Sequence, residues 1–205
     1  RIDPETGEGL PDNPVYDGDP RSNRSRVWAY GLRNPFRFAH HPVSDTLYAG
    51  DVGWYSWEEL NHGRGNNFGW PCYEGGASGN VRHTSYQWYT GTQAVCDPLY
   101  EQEPDNGIDP PLYAYQNVEG AAIVAGDFYT GTRYPTAYRD ALFIADYDKR
   151  WIKYLTFDES GTVTVHDFLE NVSSLGGPVQ LTLGPDGYFY YVALNPDPSG
   201  ASEIR

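Results

Sequence analysis

Leu142-Phe143-Ile144-Ala145-Asp146 is an unbroken apolar run closed by an acid, and it follows a shorter one, Ala122-Ile123-Val124. The pairing recurs twice. Phe36-Arg37-Phe38 leads to Leu47-Tyr48-Ala49-Gly50-Asp51, and Val179-Gln180-Leu181 leads to Phe189-Tyr190-Tyr191-Val192. Phe143 and Tyr190 stand 47 positions apart; Tyr48 and Phe143 stand 95 apart, and a cysteine-bounded stretch between them accounts for the excess. A repeat of about 40–50 residues holding four short strands is a propeller signature. The turns agree: Pro42-Val43-Ser44-Asp45 and Pro185-Asp186-Gly187 are hairpin chemistry, with Gly187 suited to positive φ. Sandwiches share short strands and regular turns, so the period alone admits both architectures.

The rest of the chain reads the same way. Runs rich in Val, Ile, Tyr, Phe and Trp lie between Gly, Pro, Asn and Asp at 27–32, 36–40, 46–52, 122–129, 141–147, 151–158, 162–169, 179–183 and 188–194. Glu58-Glu59-Leu60 sits between Trp and Gly-rich segments, with no room for an amphipathic helix of three turns. The expectation is an all-β fold, a β-propeller portion of about three four-stranded blades spanning residues 1–205. Three blades do not close a ring, which takes at least about four. The segment is therefore read as part of a larger toroid, with the rest supplied by an upstream segment or by another chain.

The 205 residues carry 28 acidic and 14 basic side chains, a formal charge of −14. That balance argues against nucleic acid and anionic membranes as partners, since both demand a basic face. No apolar stretch approaches the roughly 18 residues of a membrane span. Aromatic content of 16%, including 18 tyrosines, argues against disorder. The chain has no methionine, and its only lysines are Lys149 and Lys153. Acidity with few lysines is compatible with a salt-rich habitat.

Cys72 and Cys96 bracket a polar stretch rich in Gly, Ser, Thr and Tyr. Two cysteines are too few for a structural zinc site. A bridge would close an insertion at about 72–96 and stabilise it by about 3 kcal/mol in the chain-entropy model. The alternative is a pair of unpaired buried thiols. A bridge implies an oxidising, extracellular or periplasmic compartment. Asn23-Arg24-Ser25 and Asn171-Val172-Ser173 are sequons, acceptors only in a suitable secretory pathway.

Tyr30-Gly31-Leu32-Arg33-Asn34-Pro35-Phe36-Arg37 is followed by Leu47-Tyr48-Ala49-Gly50-Asp51-Val52-Gly53-Trp54, by Trp57-Glu58-Glu59-Leu60-Asn61 and by Asn66-Asn67-Phe68-Gly69-Trp70-Pro71-Cys72-Tyr73-Glu74-Gly75. With Phe128-Tyr129-Thr130-Gly131, Tyr134-Pro135 and Pro178-Val179 through Gly187, this ordered series resembles the glucose/sorbosone dehydrogenase family, relatives of the soluble quinoprotein glucose dehydrogenases. The resemblance implies a six-bladed propeller carrying pyrroloquinoline quinone (PQQ) and calcium, of which this chain is roughly the C-terminal half.

Arg33 and Asn34 sit at a strand end before a proline, where a planar guanidinium fork and an amide can meet a carboxylate or a quinone oxygen. The resemblance assigns both to the cofactor; the alternative is an arginine tied to loop carbonyls or to an acidic neighbour. Gly53 and Trp54 align with the family's turn whose backbone carbonyls face calcium, and carbonyl oxygens are suitable hard ligands. Trp54 stands where relatives often carry proline. The alternative is a tight turn with no ion.

Two departures run against the cofactor. Asp148 falls where a lysine is expected, with Lys149 one step away, and Gly176-Gly177-Pro178-Val179-Gln180 lacks the arginines of other members. A tricarboxylate quinone needs cationic partners. The family's catalytic histidine falls upstream of Arg1, so no catalytic residue is assigned here.

Other candidates are weaker. His40, His41, His62, His83 and His166 lack ligand spacing and read as solvated or capping histidines. Asp12, Asp17 and Asp19 with Gly18 lack EF-hand spacing and read as a solvated turn. Trp57, Trp70, Tyr73, Tyr86, Trp88 and Tyr89 offer a sugar platform or core packing, core packing being preferred for Trp57 and Trp70. The leading expectation is a secreted PQQ- and calcium-dependent dehydrogenase oxidising an aldose at its anomeric carbon. The alternatives are a non-catalytic propeller binding glycans or protein partners, and a structural component of an extracellular assembly.

Overall fold

The structure, a computed structural model, describes residues 1–75, 81–170, 176–195 and 200–205. Three antiparallel sheets follow one another along the chain. In the first, β1 (Pro35–His40), β2 (Leu47–Asp51) and β3 (Trp57–His62) form a meander. The chain then leaves the sheet through a short hairpin, β4 (Tyr73–Glu74) with β5 (Val81–Arg82), and two helices, α1 (Thr84–Thr90) and α2 (Gln93–Glu101). It returns as β6 (Tyr113–Gln116), which pairs with β3 to complete four strands. The second sheet runs β7 (Ile123–Phe128), β8 (Leu142–Asp146), β9 (Ile152–Phe157) and β10 (Val163–Leu169) in simple up-and-down order. The third holds β11 (Gly177–Leu183), β12 (Phe189–Leu194) and the short β13 (Glu203–Ile204), three strands among the described residues.

The middle sheet explains its own sequence. Successive side chains of a strand point to opposite faces. Ile123, Ala125, Leu142 and Ile144 therefore pack against Ala39, Tyr48, Leu60 and Tyr115 of the first sheet. Val124, Phe143 and Ala145 turn the other way and pack with Leu181 of the third. A strand with one wet face alternates polar and apolar residues; β8 is covered on both faces and reads as a continuous apolar run. The outer faces of the stack are different. On the first sheet Phe38 is 69% exposed beside a cavity of about 310 Å³ lined by Trp28, Leu32, Phe38, Leu47, Ala49 and Phe68. On the third, Tyr190 and Leu194 are exposed.

The registers Pro35↔Asp51, Ile123↔Asp146 and Gly177↔Leu194 bring the start of β1, the ends of β2 and β8, and the starts of β7 and β11 to one rim. At that rim the Tyr147 ring lies against Gly177.

Three expectations are corrected. Residues 27–32 form no strand: a 3₁₀ turn at Arg24–Arg26 leads in, and Tyr30 makes an isolated bridge to Asn67. Gly31 has φ +75° with the Asn67 side chain where a Cβ would stand, which breaks the extended run. The all-β reading missed α1 and α2, and it missed β3 and β6 as strands. Among the described residues the cysteine segment holds the β4–β5 hairpin, α1 and the start of α2. Cys72 and Cys96 are bridged, with Cα atoms 5.1 Å apart, and pack with Tyr73, Leu99, Tyr100 and Ile108. The sequon at Asn171 lies outside the described residues.

Candidate cofactor site at the sheet rim

Two loops meet at the rim, and buried carboxylates hold both. Asp51, at the end of β2, accepts the backbone N–H of Arg33 (2.9 Å) and of Asn34 (2.6 Å), one on each oxygen. The Val52 N–H returns to the Asn34 carbonyl at 3.1 Å. The Arg33–Asn34 turn is thus set by the strand before the second loop.

That second loop carries Gly53 and Trp54. Glu58, buried in β3, accepts the Ile123 N–H at 3.0 Å, which joins the first and second sheets. Glu74, buried in β4, accepts the Trp54 N–H at 2.6 Å. Gly53 is required by close approach: a Cβ there would stand 1.6 Å from the Trp57 carbonyl oxygen. With the Val52 and Trp54 N–H groups held, the loop aims the carbonyls of Val52 and Gly53 at one point. Nη1 of Arg33 occupies that point, donating to them at 2.9 and 2.8 Å.

Burial governs the electrostatics. It pushes the Asp51 carboxyl up to about 6 against the opposing N–H bonds from Arg33 and Asn34. It pushes Glu58 up to about 8 and Glu59, which faces Asp51 across the β2–β3 register, up to about 7. His83 is lowered by burial, with Glu74 opposing and Arg33 adding. Carboxylates taken from water need such partners to stay ionised. Here the partners are largely backbone N–H groups, which leaves the guanidinium available to the loop carbonyls.

Aromatic rings enclose the site. The Arg33 guanidinium lies over the Trp70 ring at 5.6 Å. Trp70 meets Tyr86 (4.4 Å), Trp54 meets Tyr86 (4.8 Å) and His83 (5.1 Å), and His83 stands 3.5 Å from Glu74. An adjoining cleft of about 360 Å³ is lined by Trp54, Tyr55, Trp57, Glu74, His83 and Ser85. Trp88 and Tyr89, on α1, are exposed.

The structure therefore brings Arg33 and Gly53 into direct contact. It leaves Asn34 exposed beside them and shows Trp54 through its N–H and its ring. Arg33 is hydrogen-bonded to two loop carbonyls, those of Val52 and Gly53. Of the five histidines, His83 is buried rather than solvated, His62 stacks on Tyr48 and His41 meets Phe128 edge to face. Asp17 is engaged by Ser22 and Ser25. Lys149 pairs with Asp148 at 3.2 Å. Among the described residues no group of three or more His, Cys, Asp or Glu is arranged to hold a metal.

The residues at the rim fit the implied groups in part. Two carbonyl oxygens converging on a cationic nitrogen make a donor set suited to a hard cation. The Nε and Nη2 edge of Arg33, with no hydrogen bond among the described residues, and the flanking indole suit a flat anion. Asp51, Glu58 and Glu74, which set this geometry, were not singled out from the sequence. The one signal was a pair of acids in succession, Glu58-Glu59, inside a segment too apolar at its flanks to be a loop.

Successive antiparallel sheets stacked with their turns at one rim give a mostly β, propeller-like architecture. The sequence profile described as Glucose / Sorbosone dehydrogenase matches residues 1–199, and the chain belongs to that family. It is 25% identical over 186 residues to the aldose sugar dehydrogenase YliI of Escherichia coli (strain K12), covering 90% of this chain and 44% of that protein. It superposes on a crystal structure of a glucose dehydrogenase with a TM-score of 0.70 at 26% identity, covering 100% of this chain and 52% of that one. The PQQ-bound aldose sugar dehydrogenase of Streptomyces coelicolor shares the fold, with a TM-score of 0.64 at 22% identity over 99% of this chain and 47% of that one. The chain thus spans about half the length of these proteins.

Proposed function

We propose that this chain supplies the cofactor-facing half of a secreted or periplasmic PQQ-dependent aldose dehydrogenase, its three sheets being consecutive blades of a six-bladed propeller. The observation that carries the reading is the convergence of the Val52 and Gly53 carbonyls on Arg33 beside Trp70, at the rim where the sheets' turns gather. The apolar outer faces of the first and third sheets suit further blades, and the Cys72–Cys96 bridge suits an oxidising compartment.

Bound there, PQQ would accept the hydride lost from the anomeric carbon of an aldose. Arg33 offers its Nε and Nη2 edge to a carboxylate or quinone oxygen, and the Asn34 amide adds a donor. The Val52–Trp54 turn offers carbonyl oxygens to calcium, with the Gly53 carbonyl common to the sequence expectation and the observed pair. Trp70 covers one side and excludes water from the guanidinium. Family resemblance places the proton-accepting histidine outside this segment.

A second reading, a propeller that binds glycans without turning them over, is favoured by one observation. Asp148 takes a lysine's place, and the neighbouring Lys149 is paired with it. Dye reduction by the full-length protein, supplied with PQQ, Ca²⁺ and a panel of aldoses, separates the two. Quinone-dependent turnover is the expected result; quinone-independent sugar binding without turnover selects the second reading.

A further inference from the structure

We propose that the cleft beside the rim is a subsite for a sugar chain, which makes the substrate an aldose at the reducing end of an oligosaccharide rather than a free monosaccharide. The inference rests on the dehydrogenase reading above and extends it to side chains of the disulfide-closed excursion.

Three rings form the mouth of the cleft. Trp54 follows Gly53, whose carbonyl is bound to Arg33, and its ring meets Tyr55 at 5.6 Å and Tyr89 of α1 at 6.3 Å. Tyr55 is 75% exposed and Tyr89 82%. Aromatic rings gain by burying their faces, and a contiguous group left open to water marks a binding surface. Such flat rings match the C–H face of a pyranose. The cleft itself, about 360 Å³, falls in the ~300–1,000 Å³ range of small-ligand sites.

The polar part of the wall calls for a neutral, hydroxyl-rich ligand. Glu74 and His83 both line the cleft and are both buried. Glu74 spends Oε1 on the Trp54 N–H, whereas its Oε2 and the Nδ1 of His83 have no hydrogen bond. Buried polar atoms without partners are costly and rare, so two in one wall need an explanation. A sugar hydroxyl supplies one, since it donates to the carboxylate and serves either tautomer of the imidazole. Arg82, the guanidinium of this wall, is committed to Glu103 at 3.0 and 2.5 Å, which leaves no cation set aside for an anionic ligand. Arg33 and Trp70 do not line the cleft, and Trp54 joins the two places. A sugar ring at the rim therefore has the cleft as its continuation.

Steady-state turnover by the full-length protein supplied with PQQ and Ca²⁺, on glucose and on the trisaccharides maltotriose and cellotriose, tests this in the wild type, in Tyr55→Ala and in Tyr89→Ala. Both tyrosines are exposed, so their truncation spares the core. The wild type is expected to favour at least one trisaccharide over glucose by about tenfold in kcat/KM, carried by KM, and each variant to lose most of that preference. Equal kcat/KM for glucose and both trisaccharides, or a preference unchanged in both variants, would overturn the subsite and leave the dehydrogenase reading standing. Calorimetric titration of the trisaccharides without quinone reads the cleft independently of turnover. Binding that weakens in the variants while no sugar is oxidised would uphold the cleft and overturn the dehydrogenase reading alone; neither turnover nor binding would overturn both.

Discussion

Glu74 Oε1 accepts the backbone N–H of Trp54 at 2.6 Å, a contact that ties the disulfide-bearing excursion to the turn next to Arg33. A buried strand residue from one loop thus orients the carbonyls of another. Removing the acceptor leaves the Trp54 N–H without its partner. Glu74→Ala is expected to destabilise the protein by about 1–3 kcal/mol and to weaken quinone binding about tenfold. Glu74→Gln retains a carbonyl acceptor and should stay close to wild type. Urea unfolding and fluorescence titration of quinone read the two effects.

The bridge between Cys72 and Cys96 constrains an excursion whose helices have no side-chain caps and include Pro98 within α2. Its loss removes a loop-closure constraint from the unfolded chain. The double variant Cys72→Ser with Cys96→Ser should lose about 3 kcal/mol. Addition of reductant should lower the melting temperature of the wild type and leave that of the double variant unchanged.

Phe143 is fully buried in β8 and faces Phe189 of the third sheet at 4.3 Å. Truncation opens a cavity between two sheets that cannot collapse onto each other. Phe143→Ala should cost about 3–5 kcal/mol in urea unfolding, whereas truncation of the exposed Phe38 should cost far less in the same protein.

Glu59 provides a pH dependence. Burial raises its carboxyl from 4.5 to about 7, so the folded state holds a proton that the unfolded state releases. Folded Glu59 therefore contributes most below its unfolded value, and the contribution is lost as pH rises through about 7. Melting temperature should fall between pH 5 and pH 8. In Glu59→Gln the slope should flatten and the protein should be the more stable of the two at pH 8. Asn61, whose Nδ2 now donates to Glu59 and whose Oδ1 has no partner, can flip its amide to receive the new donor.

Much of the fold was legible because the strands announce themselves locally. The apolar runs at 142–146, 179–181 and 189–192 fall within β8, β11 and β12, that at 122–124 enters β7 at Ile123, and their spacing anticipated successive sheets. Residues 27–32 look equally strand-like, but Gly31 adopts positive φ against Asn67, a contact 36 positions away that no local pattern carries. The helices α1 and α2 have no side-chain hydrogen bond at their N-caps, α2 contains Pro98, and both sit in an excursion closed by a disulfide. At the site, Arg33 and Gly53 stood out by motif. The acids that position them did not, because Glu58 acts on Ile123 and Glu74 on Trp54 across the chain, and a carboxylate's role in such pairs depends on register.

Titration of PQQ into the full-length protein in the presence of Ca²⁺, comparing wild type with Arg33→Ala, tests the rim as a cofactor site most directly. The account predicts one saturable site at micromolar quinone or tighter, weakened at least about tenfold when the guanidinium is removed. No binding at micromolar quinone, or equal affinity in the two proteins, would contradict it.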